Sequence, residues 1–360
     1  MAIIVAEYLG QRIESNEDIT PFPYQEAEEK GIQFEKMGIC PFNGLTCKKM
    51  DKGTNARFPV CSLRRNEELY IICEHRLIST TRKTGYPLSP YQEKMLLALA
   101  REIFSPDVTS NQLLYKTEVY VASAEEIEEN ESAKRKKFGR ADYMLSVTPD
   151  VTKTYGPRKL IIEVQGGGET SKTGNMTTQL KRWTNAEHPT NRLLSTPLDV
   201  GLIQTNAWRR LQEQILTKGS VAAASGYGFV ACVGTHVFDQ VKTKLNNFAD
   251  LPVLSKEEDT WDTALVAYRE DTSETESIIT NAIPLEVDYS RIIYTRYTEL
   301  ANILIRRGEA VPAIFAGKWW KLTGEAVSEN GIPLEEIKKP RRSRKKTSPS
   351  NETQDRQTLF

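Results

Sequence analysis

Two runs typical of β-strands lie close together in KFGRADYMLSVTPDVTKTYGPRKLIIEVQGGGET, residues 137–170. The runs, Arg140–Val147 and 158–165, are joined by a connector whose Thr-Pro-Asp and Gly-Pro sequences predict a turn. Each run carries an acid where a buried strand is expected to be apolar, Asp142 in the first and Glu163 in the second. Buried carboxylates cost desolvation energy unless a cation or strong donors receive them. The pattern therefore predicts a hard divalent cation between the two strands.

The second run ends in the E-x-Q motif Glu163-Val164-Gln165. On a strand, the first and third side chains of this motif point to the same face, and the carbonyl of Val164 lies between them. If Asp142 points to that face too, two carboxylates and one carbonyl can hold Mg²⁺ and leave positions for water and a phosphate oxygen. Such an ion lowers the pKa of its water and stabilises a departing alkoxide, as phosphodiester hydrolysis requires.

Other charged residues offer alternatives at this site. Arg140 or Lys172 can neutralise the two acids in a buried ion-pair network, which also places acids near strand ends. Three further glutamates are weaker candidates for completing the Mg²⁺ shell: Glu93 and Glu102 on a predicted helix, and Glu118 on a predicted strand. For the two helix residues, a solvated position on the helix face is the favoured interpretation.

Four of the five cysteines fall in one early segment: Cys40, Cys47, Cys61 and Cys73. The N-terminal apolar run is broken by Glu7 and has no basic lead-in, so we expect no secretory signal and a cytoplasmic protein. In that compartment, clustered thiols favour a metal over disulfides.

The spacing of these thiols, C-x6-C-x13-C-x11-C, lacks the paired C-x2-C knuckles of standard zinc sites. Zinc and iron both accept four thiolates, so the pattern predicts a structural Fe or Zn site without choosing the metal. His75 can replace one ligand, and unrelated free cysteines are the alternative. Metal binding would supply the folding free energy that a segment poor in apolar residues lacks.

The rest of the sequence alternates between strands and helices. Ser89 and Pro90 suit the start of a helix over 91–104. The alternation predicts an α/β sandwich rather than a helical bundle. Further predicted helices span 175–183, 206–225 and 294–307, and further predicted strands span 117–122, 228–233, 263–269 and 285–287.

Charge and composition divide the chain into three parts. Formal net charge is zero, so the whole chain gives no argument for a polyanionic partner, but KKPRRSRKK at 338–346 carries seven positive charges. Residues 338–360 are too polar to order themselves and predict a disordered basic tail. We expect residues 1–85 to hold the four-cysteine site and residues 86–337 to form the α/β core with a C-terminal helical section.

The order helix, strand, strand with Asp142, strand with E-x-Q, then helix resembles the PD-(D/E)xK nuclease core. Ala141 stands at the position of the nominal proline, and Gln165 stands at the position of the usual lysine. A narrower resemblance is to the NotI-like restriction endonucleases, and it runs from about Cys40 to the C-terminus. It is carried by MGICPFNGLTC with Cys61 and Cys73, FGRADYMLSV, LIIEVQ, NAWRRLQEQ leading to GYGFVACV, and PRRSRKK with a terminal LF.

This resemblance implies a mixed central sheet flanked by helices, with a small four-cysteine N-terminal subdomain. It implies a homodimeric type II restriction endonuclease that cuts palindromic, GC-rich double-stranded DNA with Mg²⁺ and carries iron on the four cysteines. By position, Asp142 and Glu163 are the Mg²⁺ carboxylates and Gln165 replaces the lysine. An amide is uncharged and cannot lower a pKa as an ammonium does. Lys172 is one candidate for supplying the missing charge.

Several basic residues are candidate phosphate contacts on DNA: Lys172, Lys181, Arg182, Arg209 and Arg210. The terminal Gln357-Thr358-Leu359-Phe360 resembles short peptides that dock on bacterial sliding clamps. Two other functions stay open. One is a nuclease of the same core in DNA repair or recombination, and the other is a non-catalytic DNA-binding regulator with a metal finger and a basic tail.

Overall fold

The structure is a computed structural model, and it describes residues 2–13, 40–43, 47, 60–78, 88–121, 139–152, 154–167, 169–171, 196–203, 205–246, 251–258, 260–273, 282–305, 319–320 and 326–327. The chain divides into two compact units, Met1–Arg306 and Arg307–Phe360. Both the predicted helix over 175–183 and the basic tail lie outside the described residues.

The N-terminal part of the larger unit contains an antiparallel sheet that the sequence did not predict. Two positive φ angles, 47° at Leu9 and 75° at Gly10, form the turn between its first two strands, and such turns match the twist of a hairpin. A Cβ on Gly10 would lie 2.2 Å from Pro41 Cγ, so glycine is required there for packing as well as for φ. The four strands, in spatial order β2-β1-β3-β4, are β1 (Ile3–Tyr8), β2 (Gln11–Arg12), β3 (Val60–Arg65) and β4 (Glu68–Ile71).

A buried ion pair connects this sheet to the residues that follow it. Glu7 on β1 accepts hydrogen bonds from Arg76 Nε at 2.8 Å and from Ser62 Oγ at 2.7 Å. It also accepts from the backbone N–H of Ile283 at 2.8 Å. Arg76 lies in the short helix α1 (His75–Ile78). Because neither charged side chain is exposed, the removal of one would leave the other buried and unpaired, which is strongly destabilising.

The larger unit is built on a mixed sheet of six strands: β5 (Leu113–Tyr120), β6 (Arg140–Val147), β7 (Lys159–Gln165), β10 (Gly228–Gly234), β11 (Thr263–Glu270) and β12 (Leu285–Thr295). Their spatial order is β12-β11-β10-β7-β6-β5. β5, β6 and β7 pair antiparallel in succession, β7, β10 and β11 run parallel, and β12 is antiparallel to β11. A separate two-stranded sheet is formed by β8 (Glu169–Ser171) and β9 (Gly201–Ile203).

The predicted strand positions agree with this sheet in most places. The strand with Asp142 has the predicted bounds, and the strand with Glu163 begins one residue later than predicted. The prediction for β12 was wrong in length, because the strand continues to Thr295 rather than ending at 287. The following helix consequently begins at Tyr297 rather than at 294.

Helix α2 (Pro90–Ile103) begins where Ser89 and Pro90 predict the start of a helix, and a capping box forms there. The Ser89 hydroxyl accepts from the Gln92 N–H at 3.2 Å, and the Gln92 side chain accepts from the Ser89 N–H at 2.9 Å. The helix predicted over 206–225 is interrupted by a π-helical turn at Ile215–Gly219. The remaining helices are α3 (Thr205–Gln214), α4 (Ser220–Ala224), α5 (Thr235–Asn246) and α6 (Tyr297–Ile305).

Apolar residues cover both faces of the six-stranded sheet. On β7, Leu160 and Ile162 pack into a cluster with α2 and the N-terminal sheet, whereas Ile161 packs with α3, α5 and α6. A strand buried on both faces has no polar alternation, which explains the apolar run before Glu163. The first cluster also contains Cys61 and Cys73. The division at residue 85 stays a prediction, but any subdomain before it shares its core with the sheet.

The described part of the smaller unit is one antiparallel strand pair, β13 (Trp319–Trp320) and β14 (Ala326–Val327). No helix in the described ranges of the chain combines the length and the apolar character needed to cross a membrane.

Candidate metal and nuclease site

The candidate site lies where β6 and β7 separate. The last backbone pair between the two strands is Tyr143 with Ile162. Beyond it, the side chain of Asp142 takes the place of the strand, since its Oδ2 accepts the Val164 N–H at 2.8 Å. The N–H and C=O of a strand residue point to the same side, so the Val164 carbonyl also faces the side of Asp142. The structure thus brings the predicted Mg²⁺ ligands together at the point where β6 and β7 separate.

The two predicted carboxylates interact directly. Glu163 is 2% exposed and Asp142 is half-buried. Burial raises the pKa of Asp142 well above its usual range, and the negative charge of Glu163 raises it further. Burial also raises the pKa of Glu163, against the opposing effect of Lys218 and of hydrogen bonds with Asp142. Two neighbouring acids with raised pKa values favour either a shared proton or a bound cation.

Both oxygens of Glu163 receive a donor from the helical segment after β9. Lys218 Nζ forms an ion pair with Glu163 Oε1, and the two side chains are only 9% and 2% exposed. Gln214 Nε2 donates to Glu163 Oε2 at 2.9 Å. The same Lys218 ammonium donates to the Arg140 carbonyl at 2.6 Å. Sequence analysis missed both helical residues, although a lysine four residues after a glutamine on one helical face was an available signal.

The π-helical turn Ile215–Gly219 carries Lys218 and is supported by α6. The Tyr297 hydroxyl donates to the Leu216 carbonyl at 3.2 Å. A Cβ on Gly219 would lie 2.9 Å from the Tyr297 ring, so glycine lets the ring approach the backbone. Single π-helical turns inside α-helices are rare and occur frequently at functional sites. Here the turn directs Lys218 to Glu163.

The ion-pair alternative is therefore realised, but with a different cation. The Arg140 guanidinium contacts the exposed edge of β5, where it pairs with Glu118 at 3.5 Å and stacks 4.5 Å from the Tyr120 ring. The expectation that Arg140 neutralises the acids is wrong, because its side chain points to β5 and only its carbonyl reaches the ammonium. Lys172 lies outside the described residues.

Gln165 and the weaker glutamate candidates are placed as follows. Gln165 is 4% exposed, and its amide donates to the Gly166 carbonyl at 2.8 Å. The solvated position expected for Glu102 is wrong, because this residue is buried on the α2 side of the sheet, where it contacts Lys256 at 3.2 Å and the Tyr294 hydroxyl at 2.9 Å. Glu93 is exposed on α2, and Glu118 has a left-handed φ of 51° and pairs with Arg140.

Glu74 is an acid near the site that sequence analysis missed. Its charge contributes to the raised pKa of Asp142. It directly follows Cys73, and this segment packs against the glycines after the E-x-Q motif. Gly167 N–H donates to the Ile71 carbonyl at 2.9 Å, and a Cβ on Gly166 would lie 2.7 Å from the Glu74 nitrogen. The glycine run thus serves close contact within the protein.

The four predicted thiols are all buried and interact electrostatically. Burial, followed by the charge of Cys73, raises the pKa of Cys40 to about 12. Burial also raises the pKa of Cys61, with contributions from the other three thiols and Glu7. The Gly10 N–H donates to Cys61 Sγ at 3.3 Å. Thiolates in such surroundings need a cation to balance their charge, so the donor set fits Zn or Fe.

Ligand atoms are not already arranged around a metal position at either site. In the described residues, no group of three or more His, Cys, Asp or Glu side chains has a geometry ready to hold a metal ion. His75 is buried in α1, two residues from Cys73. Both the structural Fe or Zn and the catalytic Mg²⁺ stay predictions based on the chemistry of the donors.

The candidate DNA contacts are described only in part. Arg209 and Arg210 lie exposed on α3, while Trp208 and Leu211 of the same helix are buried. This arrangement places both arginines on the exposed face of the helix, where a phosphate backbone can approach. Lys172, Lys181 and Arg182 lie outside the described residues.

Comparisons with known proteins add no assignment to this geometry. No profile of a known protein family matches the chain, and no curated protein matches it either. A function has to be argued from the residues of the site and their chemistry.

Proposed function

We propose that the protein is a type II restriction endonuclease that hydrolyses double-stranded DNA at a specific site with Mg²⁺. The observation that carries this proposal is the meeting of Asp142, Glu163 and the Val164 backbone where β6 and β7 separate. Carboxylate and carbonyl oxygens are the ligands that Mg²⁺ prefers. Within the described residues, the buried Gln214 Oε1 has no hydrogen-bond partner, and it offers one more oxygen to a hydrated ion.

The order of elements supports the proposal. Helix α2 is followed by the meander β5, β6 and β7, then by the separate pair β8 and β9, and then by the helical segment from Thr205 to Ala224. Apart from the pair β8 and β9, this is the order that the resemblance to the PD-(D/E)xK core implies. Asp142 lies on the second strand of the meander and the E-x-Q motif on the third, as that resemblance also implies.

The residues of the chain have distinct roles in the proposed reaction. Asp142, Glu163 and the Val164 carbonyl would hold Mg²⁺, which would activate water and stabilise charge on the departing oxygen. The Val164 N–H holds Asp142 in the gap between the strands. Lys218 and Gln214 fix the orientation of Glu163. Such support limits the orientations that Glu163 can adopt before the substrate arrives.

The proposed partners follow from the resemblance and the charge pattern. The substrate would be a palindromic, GC-rich site cut by a homodimer of a cytoplasmic, nucleoid-associated enzyme. Iron or zinc would bind the four thiols and stabilise the N-terminal sheet around Cys61. Docking of Gln357-Thr358-Leu359-Phe360 on a sliding clamp is proposed on its short motif alone.

Plasmid digestion with Asp142→Ala and Glu163→Ala tests the proposal. We expect the wild type to give discrete bands with Mg²⁺ and each variant to cut at least about 100-fold more slowly, because each loses a ligand of the ion. DNA binding in Ca²⁺ should be largely retained. Glu93→Ala is the control, since Glu93 is an exposed acid on α2. Wild-type cutting by either site variant would eliminate the site.

The same digestion separates the other two functions. A smear or resection from DNA ends would indicate a nuclease of repair or recombination. Absence of cutting by the wild type, with DNA binding intact, would indicate a non-catalytic regulator. The buried Lys218–Glu163 ion pair favours that last alternative, because such a pair also occurs in purely structural networks.

A further inference from the structure

The E-x-Q motif leaves an electrostatic gap in the proposed nuclease site. The resembled motif carries a lysine at its third position, whereas this chain has the uncharged Gln165. The amide of Gln165 donates to the Gly166 carbonyl at 2.8 Å, so it is directed to the end of its own strand. The Gln165 side chain therefore cannot replace an ammonium, because it is uncharged and its amide contacts Gly166 rather than the acids.

An ammonium nevertheless reaches the site from the helical segment that covers this face of the sheet. Lys218 Nζ contacts Glu163 Oε1 on β7 and donates to the Arg140 carbonyl on β6 at 2.6 Å. Arg140 lies two residues before Asp142, so the charge is placed between the two strands that carry the acids. It also acts on both acids, since it opposes the raised pKa of Asp142 and of Glu163.

The surrounding structure holds this lysine in one arrangement. A Cβ on Gly139 would lie 3.0 Å from Lys218 Cε, so the glycine before β6 makes room for the stem. The π-helical turn and its contact with Tyr297 fix the backbone from which the stem extends. A lysine that is 9% exposed is costly to desolvate. The burial of Lys218 at this cost suits a role that a surface lysine cannot perform.

We propose that Lys218 supplies the positive charge that the third residue of the motif provides in E-x-K nucleases. The inference rests on the proposed nuclease function. Lys218 acts as a positioning residue: it fixes Glu163 through Oε1 and places a positive charge beside the reacting phosphate. It transfers no proton in this scheme. The charge has moved from the strand to a helix on the same face of the sheet, where it reaches the same carboxylate.

A relocation experiment tests this role. Lys218→Gln removes the charge, Gln165→Lys restores a charge at the motif position, and the double variant moves the charge from helix to strand. Lys256→Gln is the matched control, because Lys256 pairs with Glu102 at 3.2 Å on the α2 side of the sheet. Single-turnover cleavage with Mg²⁺, calorimetric Ca²⁺ binding and melting temperature are measured for all four.

We expect Lys218→Gln to cut about 100-fold more slowly than the wild type while it still binds Ca²⁺. The double variant should recover at least about tenfold of that loss, and Lys256→Gln should cut within about threefold of the wild type. Cutting by Lys218→Gln at the wild-type rate would overturn the inference. A folded double variant that cuts no faster than Lys218→Gln would overturn it too, because the lysine would then be structural.

If Lys218→Gln melts below the assay temperature, the double variant decides alone, since it keeps a cation for Glu163. Cutting by the folded double variant supports the inference, and its inactivity opposes it. Glu163→Gln separates this question from the proposed function. Its loss of cutting and of Ca²⁺ binding, together with full activity of Lys218→Gln, would reject the lysine and keep the nuclease site. Wild-type cutting by Glu163→Gln would reject the site itself.

Discussion

Gly166→Ala would place a methyl group between the E-x-Q strand and the cysteine segment. The new Cβ would lie 2.7 Å from the Glu74 nitrogen and 3.0 Å from both the Cys73 carbonyl carbon and the Ile72 oxygen. All three are backbone atoms, and the hydrogen bond from Gly167 N–H to the Ile71 carbonyl joins the same two segments. The clash therefore cannot be relieved by turning a side chain. Overpacking of this kind costs about 1–3 kcal/mol of unfolding free energy.

Urea denaturation, monitored by tryptophan fluorescence, measures this loss of unfolding free energy. The matched control is Gly234→Ala, because Gly234 also faces β4, but its added Cβ would lie 3.4 Å from Ile71 Cβ, at an ordinary contact distance. The dependence of unfolding free energy on urea should be equal for both variants, so that the midpoints report stability. A loss in Gly166→Ala that is within about 0.5 kcal/mol of the control would refute the close backbone contact.

The same substitution also tests whether contact with the cysteine segment positions the E-x-Q motif. Displacement of the glycine end of β7 would move Gln165 and the Val164 carbonyl relative to Asp142. Errors of about 1 Å in such sites slow reactions by roughly 100-fold. We expect Gly166→Ala to reduce Mg²⁺-dependent cleavage by at least about tenfold at a temperature where it is folded. Equal cleavage by the folded variant and the wild type would show that the contact does not position the motif.

Three further predictions concern the acids, the thiols and the surface arginines. Because the pKa of Asp142 is raised by folding, the folded chain binds the proton more readily and its stability falls as pH rises past the unfolded pKa. Asp142→Asn should therefore raise the melting temperature by a few degrees at neutral pH without divalent ions, a gain that disappears in acid, and calorimetry that shows no gain would contradict it. Cys61→Ser should lower both the melting temperature and the Fe or Zn content measured by elemental analysis, and equal metal content would refute the thiolate assignment. Arg209→Ala with Arg210→Ala should weaken DNA binding and reduce its salt slope by about 2, whereas an unchanged slope would remove α3 from the interface.

Local patterns in the sequence were sufficient to place the acids. Glu163 stands out because the run before it is apolar on both faces of the sheet. Asp142 and the bounds of its strand follow from alternation, since Ala141, Tyr143 and Leu145 are buried in turn. Ser89 and Pro90 indicated the start of α2, where the structure forms a capping box that spans four residues. Each of these signals is contained within one element, where period and capping are informative.

Features that depend on distant residues were not predicted. The N-terminal sheet pairs β1 with β3 across more than fifty residues of chain, as in the bond from Ser62 Oγ to Glu7. Lys218 lies 55 residues after its partner Glu163. A basic residue within a helical run is usually interpreted as surface, and the π-helical turn that buries this one depends on Tyr297 of a later helix. No local period encodes such a contact.

The ion pair between Lys218 and Glu163 does not by itself account for the charges at this site. Asp142 and Glu163 carry two potential negative charges, and the lysine supplies one positive charge. A purely structural buried network is stable when its charges balance, whereas the described residues of this one have a deficit of one positive charge, and burial raises the pKa of both acids. A carboxylate has about four lone-pair positions, so the donors on Glu163 leave room for an ion. The deficit is therefore filled by a proton or by a metal, and a divalent ion that raises the melting temperature of the wild type but not of Asp142→Asn would identify the metal as the natural occupant.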